Sequence, residues 1–197
     1  MPKTLGFREG LEAITKLALE LADQIPIPII LIDGRAGSGK STFAQQLRDG
    51  LFRQGEAAPV IVSMDELYPG WHGLKEGSLY LERNILFPLS QTKTAQWQTW
   101  SWETGQRGNP QEPGNGWREF AGGNVLIVEG CGSLSKQSAD IATIRIWVEA
   151  EALIRRERFH DRDSGLFDEF WGVWAAQEDE FYAAEKSREL ADFVIEN

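Results

Sequence analysis

"IDGRAGSGKSTFA" (residues 32–44) breaks a continuous apolar run with three glycines, a lysine and three hydroxyls. Upstream, Ile29, Ile30, Leu31 and Ile32 form a short, β-branched run that reads as a buried strand. Downstream, Phe43, Ala44, Leu47 and Leu51 recur at helical spacing up to Arg53. A flexible stretch between a buried strand and an amphipathic helix needs a purpose. The order of its residues supplies one: Gly34 to Ser41, "GRAGSGKS", fits G-x-x-x-x-G-K-[ST] in the strand–helix context that this motif requires.

The chemistry follows from the residue types. Gly34, Gly37 and Gly39 let the backbone turn tightly and aim successive N–H groups at one point. The helix that starts there adds the positive end of its dipole. Such a cradle suits a triphosphate, which makes Arg35, Ala36, Ser38 and Thr42, together with the glycines, the expected nucleotide-binding residues. Lys40 would reach the β- and γ-phosphates, and the Ser41 hydroxyl would ligate Mg²⁺.

Working outward, "PVIVSM" (59–64), "NVLIVEG" (124–130), "TIRIWVEA" (143–150) and "ADFVIEN" (191–197) read as further buried strands. Residues 8–24, 78–89, 151–163 and 166–189 carry helical spacing. Apolar strands alternating with helices imply a parallel sheet covered on both faces. The expectation is a three-layer α/β/α P-loop NTPase domain spanning 1–197, with a five-stranded sheet. Residues 90–123, rich in Gln, Gly, Asn, Pro and Trp, read as short strands and loops forming an excursion from it.

Composition narrows the partners. The 197 residues carry a formal net charge of −10, which disfavours nucleic acid and anionic membrane surfaces, since both need a positive field. The single cysteine, Cys131, allows no intramolecular disulfide and suits a reducing cytoplasm. No apolar leader is visible at "MPKTLGFREG", and "IPIPIILI" (25–32) is too short to span a bilayer.

A triphosphate cradle alone does not set a function. A guanine-reading N-K-x-D is absent, because no Asn is followed by Lys. A small-molecule kinase needs a carboxylate beside Mg²⁺, a group for the acceptor, and arginines over the transferring phosphoryl. Glu129 closes the strand "VLIV" at the end that faces the ligand crevice of a doubly wound sheet. Asp65 follows "VIVSM" in the same sense. It reads either as the base for an attacking hydroxyl or as a helix N-cap. Asp33 reads as a turn residue. Arg155, Arg158 and Arg162 share one helical face, with Gly165 as a hinge for a lid over about 155–165. The other reading of that cluster is a solvated, salt-bridged face with Glu157, Asp161 and Asp163. Trp97, Trp100, Trp102 and Trp117 fall in the irregular stretch and suggest either core or a wall on which a ring could stack. His72 and Cys131 show no metal-ligand spacing.

"IDGRAGSGKST", "SMDELYPGWHGL", "VLIVEGCGSL", "IRRERFHDRD" and "WAAQEDEF" occur in the order seen in P-loop nucleoside and nucleotide kinases, and resemble bacterial uridine kinase-like proteins most. The resemblance spans about residues 25–196. It implies ATP across the glycine loop, an acceptor pocket beside Asp65, and a lid of Arg155, Arg158 and Arg162. It further implies that Tyr68 and Arg83 face the acceptor. Where uridine kinases hold the nucleoside with a Tyr-Asp pair, this chain has Trp100 and Ser101, in "WSWETG". The expected function is ATP- and Mg²⁺-dependent phosphoryl transfer to the hydroxyl of a small nucleoside-like acceptor. The alternatives are a nucleoside monophosphate or other metabolite kinase, and a nucleotide-binding regulatory module without transfer activity.

Overall fold

The structure is a computed structural model and describes residues 1–55 and 57–197. Strand β1 (Lys3–Gly6) leads into helix α1 (Phe7–Ala22), and β2 (Ile29–Asp33) leads through the glycine loop into α2 (Lys40–Arg53). Strand β3 (Val60–Ser63) ends in a short 3₁₀ turn, Met64–Glu66. Helix α3 (Leu74–Leu81) then runs through a π turn, Glu82–Leu86, into α4 (Phe87–Ser90). Pro88 lies just past that turn; lacking an N–H, it cannot donate to the Asn84 carbonyl.

The irregular stretch forms two antiparallel ribbons. Strand β4 (Ala95–Gln98) pairs with β7 (Trp117–Phe120), and β5 (Trp100–Ser101) pairs with β6 (Gln106–Arg107). Strand β8 (Leu126–Glu129), α5 (Lys136–Ile141), β9 (Ile144–Glu149), α6 (Ala152–Arg162), α7 (Trp171–Glu185), α8 (Ser187–Leu190) and β10 (Phe193–Glu196) complete the chain.

The central sheet has the order β1-β10-β9-β2-β8-β3, with every pair parallel. It has six strands where the sequence predicts five. The added strand is β1, in which only Leu5 is buried, so no apolar run announces it. Its backbone pairs with β10, which would otherwise be an open sheet edge.

The period-2 alternation of the strands builds a core on each face. Ile30 and Ile32 pack with Ile14, Ala18, Phe43 and Leu47 under α1 and α2. Leu31, Val62 and Val128 pack with Leu81 and Trp174 under the helices of the other face. Register fixes what stands at the carboxyl edge: Glu129 lies beside Ile32 on one side and Ser63 on the other. The strand order reverses at β2, so the crevice opens there, directly above Glu129. Among the described residues no helix is long and apolar enough to cross a membrane.

Candidate active site

The glycine loop takes the conformation that its residues permit. Gly34, Gly37 and Gly39 have φ of 147°, 76° and 98°, values that side chains rarely adopt. At Gly37 a Cβ would also collide with the backbone carbonyl of Arg155, so the first turn of α6 lies directly against the loop. Ser38 has its hydroxyl buried without a partner among the described residues.

Asp33 does more than make a turn. It is fully buried and accepts from Gly34 N (2.6 Å), Gly132 N (3.1 Å), Leu134 N (2.8 Å) and the Tyr182 hydroxyl (2.7 Å). One carboxylate thus ties the start of the loop to the segment after β8 and to α7. Burial pushes its pKa up to about 6, against the lowering effect of those hydrogen bonds and of Lys40.

Lys40 is buried, with Nζ 2.9 Å from the Arg35 carbonyl and 3.5 Å from Cys131 Sγ. Burial disfavours its charge, but Cys131, Glu129, Glu178 and Asp33 around it outweigh that and raise its pKa. The Ser41 hydroxyl donates to Glu129 Oε2 at 3.0 Å, and the Ser63 hydroxyl donates to Oε1 at 2.9 Å. Burial, and then the nearby Asp65 charge, raise the Glu129 pKa, while Lys40 and the two hydroxyls oppose them. Ser41 and Glu129 therefore present two hard oxygen groups, side by side, beneath the loop.

A cavity of about 1030 Å³ lies over this floor. The structure brings Ala36, Gly37, Gly39, Lys40, Ser41, Thr42, Asp65, Tyr68, Trp102, Glu129, Arg158 and Arg162 to its lining. Asp65 is exposed to it. The cap of the short turn is Ser63, whose hydroxyl accepts from Asp65 N at 3.3 Å, so the Asp65 side chain is not spent on capping. Its carboxylate accepts no hydrogen bond among the described residues. Its backbone carbonyl accepts from Trp102 Nε1 at 2.8 Å, which ties the irregular ribbon to the end of β3.

The arginine face of α6 points at the loop. Arg155 Nη1 donates to the Ala36 carbonyl at 3.2 Å, and its Nε is buried without a partner among the described residues. Arg155 therefore lies behind the loop and outside the cavity lining. Arg158 Nη1 lies 3.5 Å from the Gly37 carbonyl and 3.4 Å from that of Ser38, and has no carboxylate partner among the described residues. Arg162 lines the cavity but pairs with Asp163 at 2.6 Å. Gly165, with φ of 77°, turns the chain after α6 and packs against His160, whose ring bonds Asp168 at 2.7 Å.

Other expectations need correction. Arg83 is exposed on the π turn and does not line the cavity. Arg35 turns its guanidinium away from the cavity onto Asp179 (2.7 Å) and Glu178 (3.5 Å). The Tyr68 ring lines the cavity, but its hydroxyl is engaged by the Cys131 carbonyl at 2.7 Å. Trp100 is half-buried beside Arg107 and lies off the cavity. Trp97 is core, and Trp117 is exposed on the outside. Only Trp102 of the four reaches the cavity.

The remaining aromatic lining comes from residues that the sequence reading did not single out. Trp71 is the hub. It stacks on Phe170 at 4.6 Å with the rings parallel, and meets Trp102 at 5.1 Å, Phe167 at 5.2 Å and Trp174 at 6.1 Å. Trp71, Trp102, Trp174 and Phe167 all line the cavity, with Asp65 and Glu103 beside them. Trp71 sits in the same "LYPGWHGL" segment as Tyr68, and that adjacency was its one sequence signal.

No family model matches the chain, and no curated protein matches it in sequence. Among solved structures, a protein from Bacillus stearothermophilus described as a "possible uridine kinase" superposes with a TM-score of 0.66 at 17% identity, covering 95% of this chain and 98% of the other. A "putative fructose transport system kinase" from Silicibacter sp. TM1040 superposes with a TM-score of 0.59 at 20% identity, covering 93% and 98%. At such identities the likeness establishes a shared α/β fold.

Proposed function

We propose that this protein is an ATP- and Mg²⁺-dependent kinase that phosphorylates a hydroxyl of a small, uncharged, nucleoside-like acceptor. The observation that carries the reading is convergence: Lys40, the Ser41–Glu129 pair, Asp65 and Arg158 all reach one cavity above the carboxyl edge of the sheet. At about 1030 Å³ it is at the top of the roughly 300–1,000 Å³ typical of ligand pockets, ample for a donor and an acceptor together. Both structural neighbours carry kinase descriptions, which supports the same class.

The residues present fit the groups that the reaction needs. The loop amides and Lys40 suit the phosphates of ATP. Ser41 and Glu129 suit Mg²⁺, which is usually bound through one or two carboxylates plus substrate phosphates rather than by a full protein cage. Among the described residues no cluster of three or more His, Cys, Asp or Glu offers such a cage. Held by Ser41 and Glu129, Mg²⁺ would supply positive charge that offsets the charge of the phosphates. Lys40 and Arg158 then stabilise charge on the transferring phosphoryl from two sides. The Asp65 carboxylate, free of hydrogen bonds among the described residues, accepts the proton of the acceptor hydroxyl as it attacks.

The acceptor's charge follows from where the cations sit. Lys40, Arg158 and Arg162 belong to the glycine loop and α6. The acceptor side offers Asp65 and Glu103 beside tryptophans. Arg107, on the ribbon beside that side, is already engaged: its guanidinium lies 3.4 Å over Tyr80 and donates to the carbonyls of Leu67 (2.9 Å) and Gln98 (3.1 Å). Among the described residues, a phosphate acceptor beside those tryptophans would meet two carboxylates, Asp65 and Glu103. A neutral ring with hydroxyls would stack on Trp71 and Trp102 and donate to the carboxylates.

The test is ATP consumption over matched pairs of acceptors, each neutral hydroxyl compound beside its phosphorylated form, with wild type and Asp65→Asn. The expected result is consumption that depends on a neutral acceptor. Asp65→Asn should keep MgATP affinity and lower kcat by roughly 10²–10⁴-fold, the usual worth of a positioned base. MgATP binding without any acceptor-dependent turnover would favour a regulatory module. A phosphate acceptor turned over best, with Asp65→Asn near wild type, would make it a nucleotide kinase.

A further inference from the structure

Helix α7 carries a carboxylate that the reaction above does not use. Glu178 is 1% exposed, yet it is ringed by the machinery of the site. Its Oε1 accepts from Ala36 N at 2.6 Å and from the Cys131 thiol at 3.3 Å, and Oε2 pairs with Arg35 Nη1 at 3.5 Å. A carboxylate is among the costliest groups to bury, and is retained only with strong partners. Here the shortest partner is a backbone amide of the glycine loop itself.

The Ala36 peptides are held from the other side as well. Arg155 Nη1 donates to the Ala36 carbonyl at 3.2 Å, and the Arg155 backbone carbonyl abuts Gly37. Ala36 is thus clamped by α7 at its N–H and by α6 at its C=O. The loop is rich in glycine and flexible in itself, so its amides converge on one point only if something outside fixes them. Small errors of aim in such a cradle are costly, because preorganised donors act at hydrogen-bond distance. The neighbouring Gln177 performs the matching task on the acceptor side: its Nε2 donates to the Trp71 carbonyl at 2.7 Å, and its Oε1 accepts from Leu74 N at 3.3 Å.

We propose that Glu178 is a positioning residue for the phosphate loop: its carboxylate fixes the Ala36 peptide, so that the amides after it are aimed before a triphosphate arrives. The proposal rests on the nucleotide-binding reading above.

The test compares Glu178→Ala, Glu178→Gln and Glu178→Asp, with Asp179→Asn as control. Two quantities are read: MgATP affinity by calorimetry, and amide hydrogen exchange of the 34–41 segment without nucleotide. Gln keeps an oxygen at the same reach, whereas Asp keeps the charge but is one methylene too short. Glu178→Ala and Glu178→Asp should raise Kd by about 10-fold or more, the worth of a hydrogen bond to a charged group, and should speed exchange in the loop. Glu178→Gln should stay within about 3-fold of wild type with slow exchange, since the bond to Ala36 is kept. Asp179→Asn removes only the outer bridge to Arg35 and should change neither quantity. If Glu178→Ala fails to fold, the contrast between Gln and Asp carries the test. Wild-type affinity and exchange in Glu178→Asp would overturn the proposal, as would a Gln variant as impaired as the Asp one. If wild type itself binds no MgATP, the nucleotide reading has failed, and exchange in the loop still decides whether Glu178 holds it.

Discussion

The glycine loop uses consecutive residues, Gly34 to Ser41, whereas the aromatic wall that faces it draws Trp71, Trp102, Trp174 and Phe167 from distant parts of the chain. A cradle of backbone amides has its requirement written locally, as glycines at fixed offsets between a strand and a helix. The wall is built from side-chain faces, and its members come together only in the packed fold. Donor chemistry of this kind is carried by a local motif, and acceptor chemistry by tertiary assembly. Substitutions in the two halves should therefore fail differently.

The largest effect is expected at Lys40. Lys40→Ala removes the one buried cation of the loop while leaving the core under α2 untouched. Turnover should fall by about 10³-fold or more, beyond the ~10²–10³ loss typical of one uncharged donor, because the lost donor is charged and buried. Calorimetry and turnover on the folded variant check it. Unchanged affinity together with unchanged turnover would remove the loop from the reaction.

Next comes Asp33, which anchors the loop rather than touching a ligand. Its pKa lies at about 6 in the fold against an ordinary 3.8. Between those values the folded state binds the extra proton, so stability falls as pH rises from about 4 to 6, then levels off. The gap corresponds to about 3 kcal/mol at ~1.36 kcal/mol for each pH unit. Asp33→Asn cannot titrate. The stability of wild type relative to that variant should thus decline by up to about 3 kcal/mol across this window and stay flat above it. Denaturant melts at intervals from pH 4 to pH 7 read the difference; a constant difference would refute the assignment.

The sequence already carried most of the donor half. The strand runs, the loop, and the ends of β3 and β8 placed Lys40, Ser41, Asp65 and Glu129 at one edge, because a parallel sheet puts every strand's carboxyl end there. Four things were not legible. Strand β1 has no apolar run and exists because β10 needs a partner. Four tryptophans clustered in one polar stretch look alike in sequence, yet Trp97 entered the core and Trp117 faced out; which side each took was set by the pairing of β4 with β7. Arg83 fell on a π turn, exposed and off the cavity, and Glu178 sat among other acids in a helix with no marked apolar face, with nothing to single it out as the one that turns inward.

The arginine helix sharpens the comparison, because it belongs to the donor half but is legible only in part. Arg155, Arg158 and Arg162 share a face, but Arg155 supports the loop from behind and Arg162 is held by Asp163. Only Arg158 stands over the loop without a carboxylate partner among the described residues. Arg158→Ala should lower kcat by about 100-fold with little change in MgATP affinity, since such a donor acts mainly as charge redistributes. Arg162→Ala should cost distinctly less. Equal losses in the two variants would mean that the Arg162–Asp163 pair opens during the reaction.

The smallest effect is expected at the seam between the halves. Trp102 Nε1 donates to the carbonyl of Asp65, so one indole both forms part of the wall and steadies the backbone that carries the proposed base. Trp102→Phe keeps an aromatic face but removes the donor. A neutral hydrogen bond at a half-exposed site contributes about 1 kcal/mol, or roughly 5-fold. The loss should appear in kcat with the acceptor, because what loosens is the aim of the Asp65 carboxylate. MgATP affinity should not move, since the Trp102 indole donates to Asp65 and not, among the described residues, to the loop. Trp102→Ala removes the stacking face as well and should add a rise in acceptor KM. If Phe and Ala were equally impaired and both through KM alone, the indole would serve only as a wall. The bond to Asp65 would then be packing detail rather than a link between the two halves.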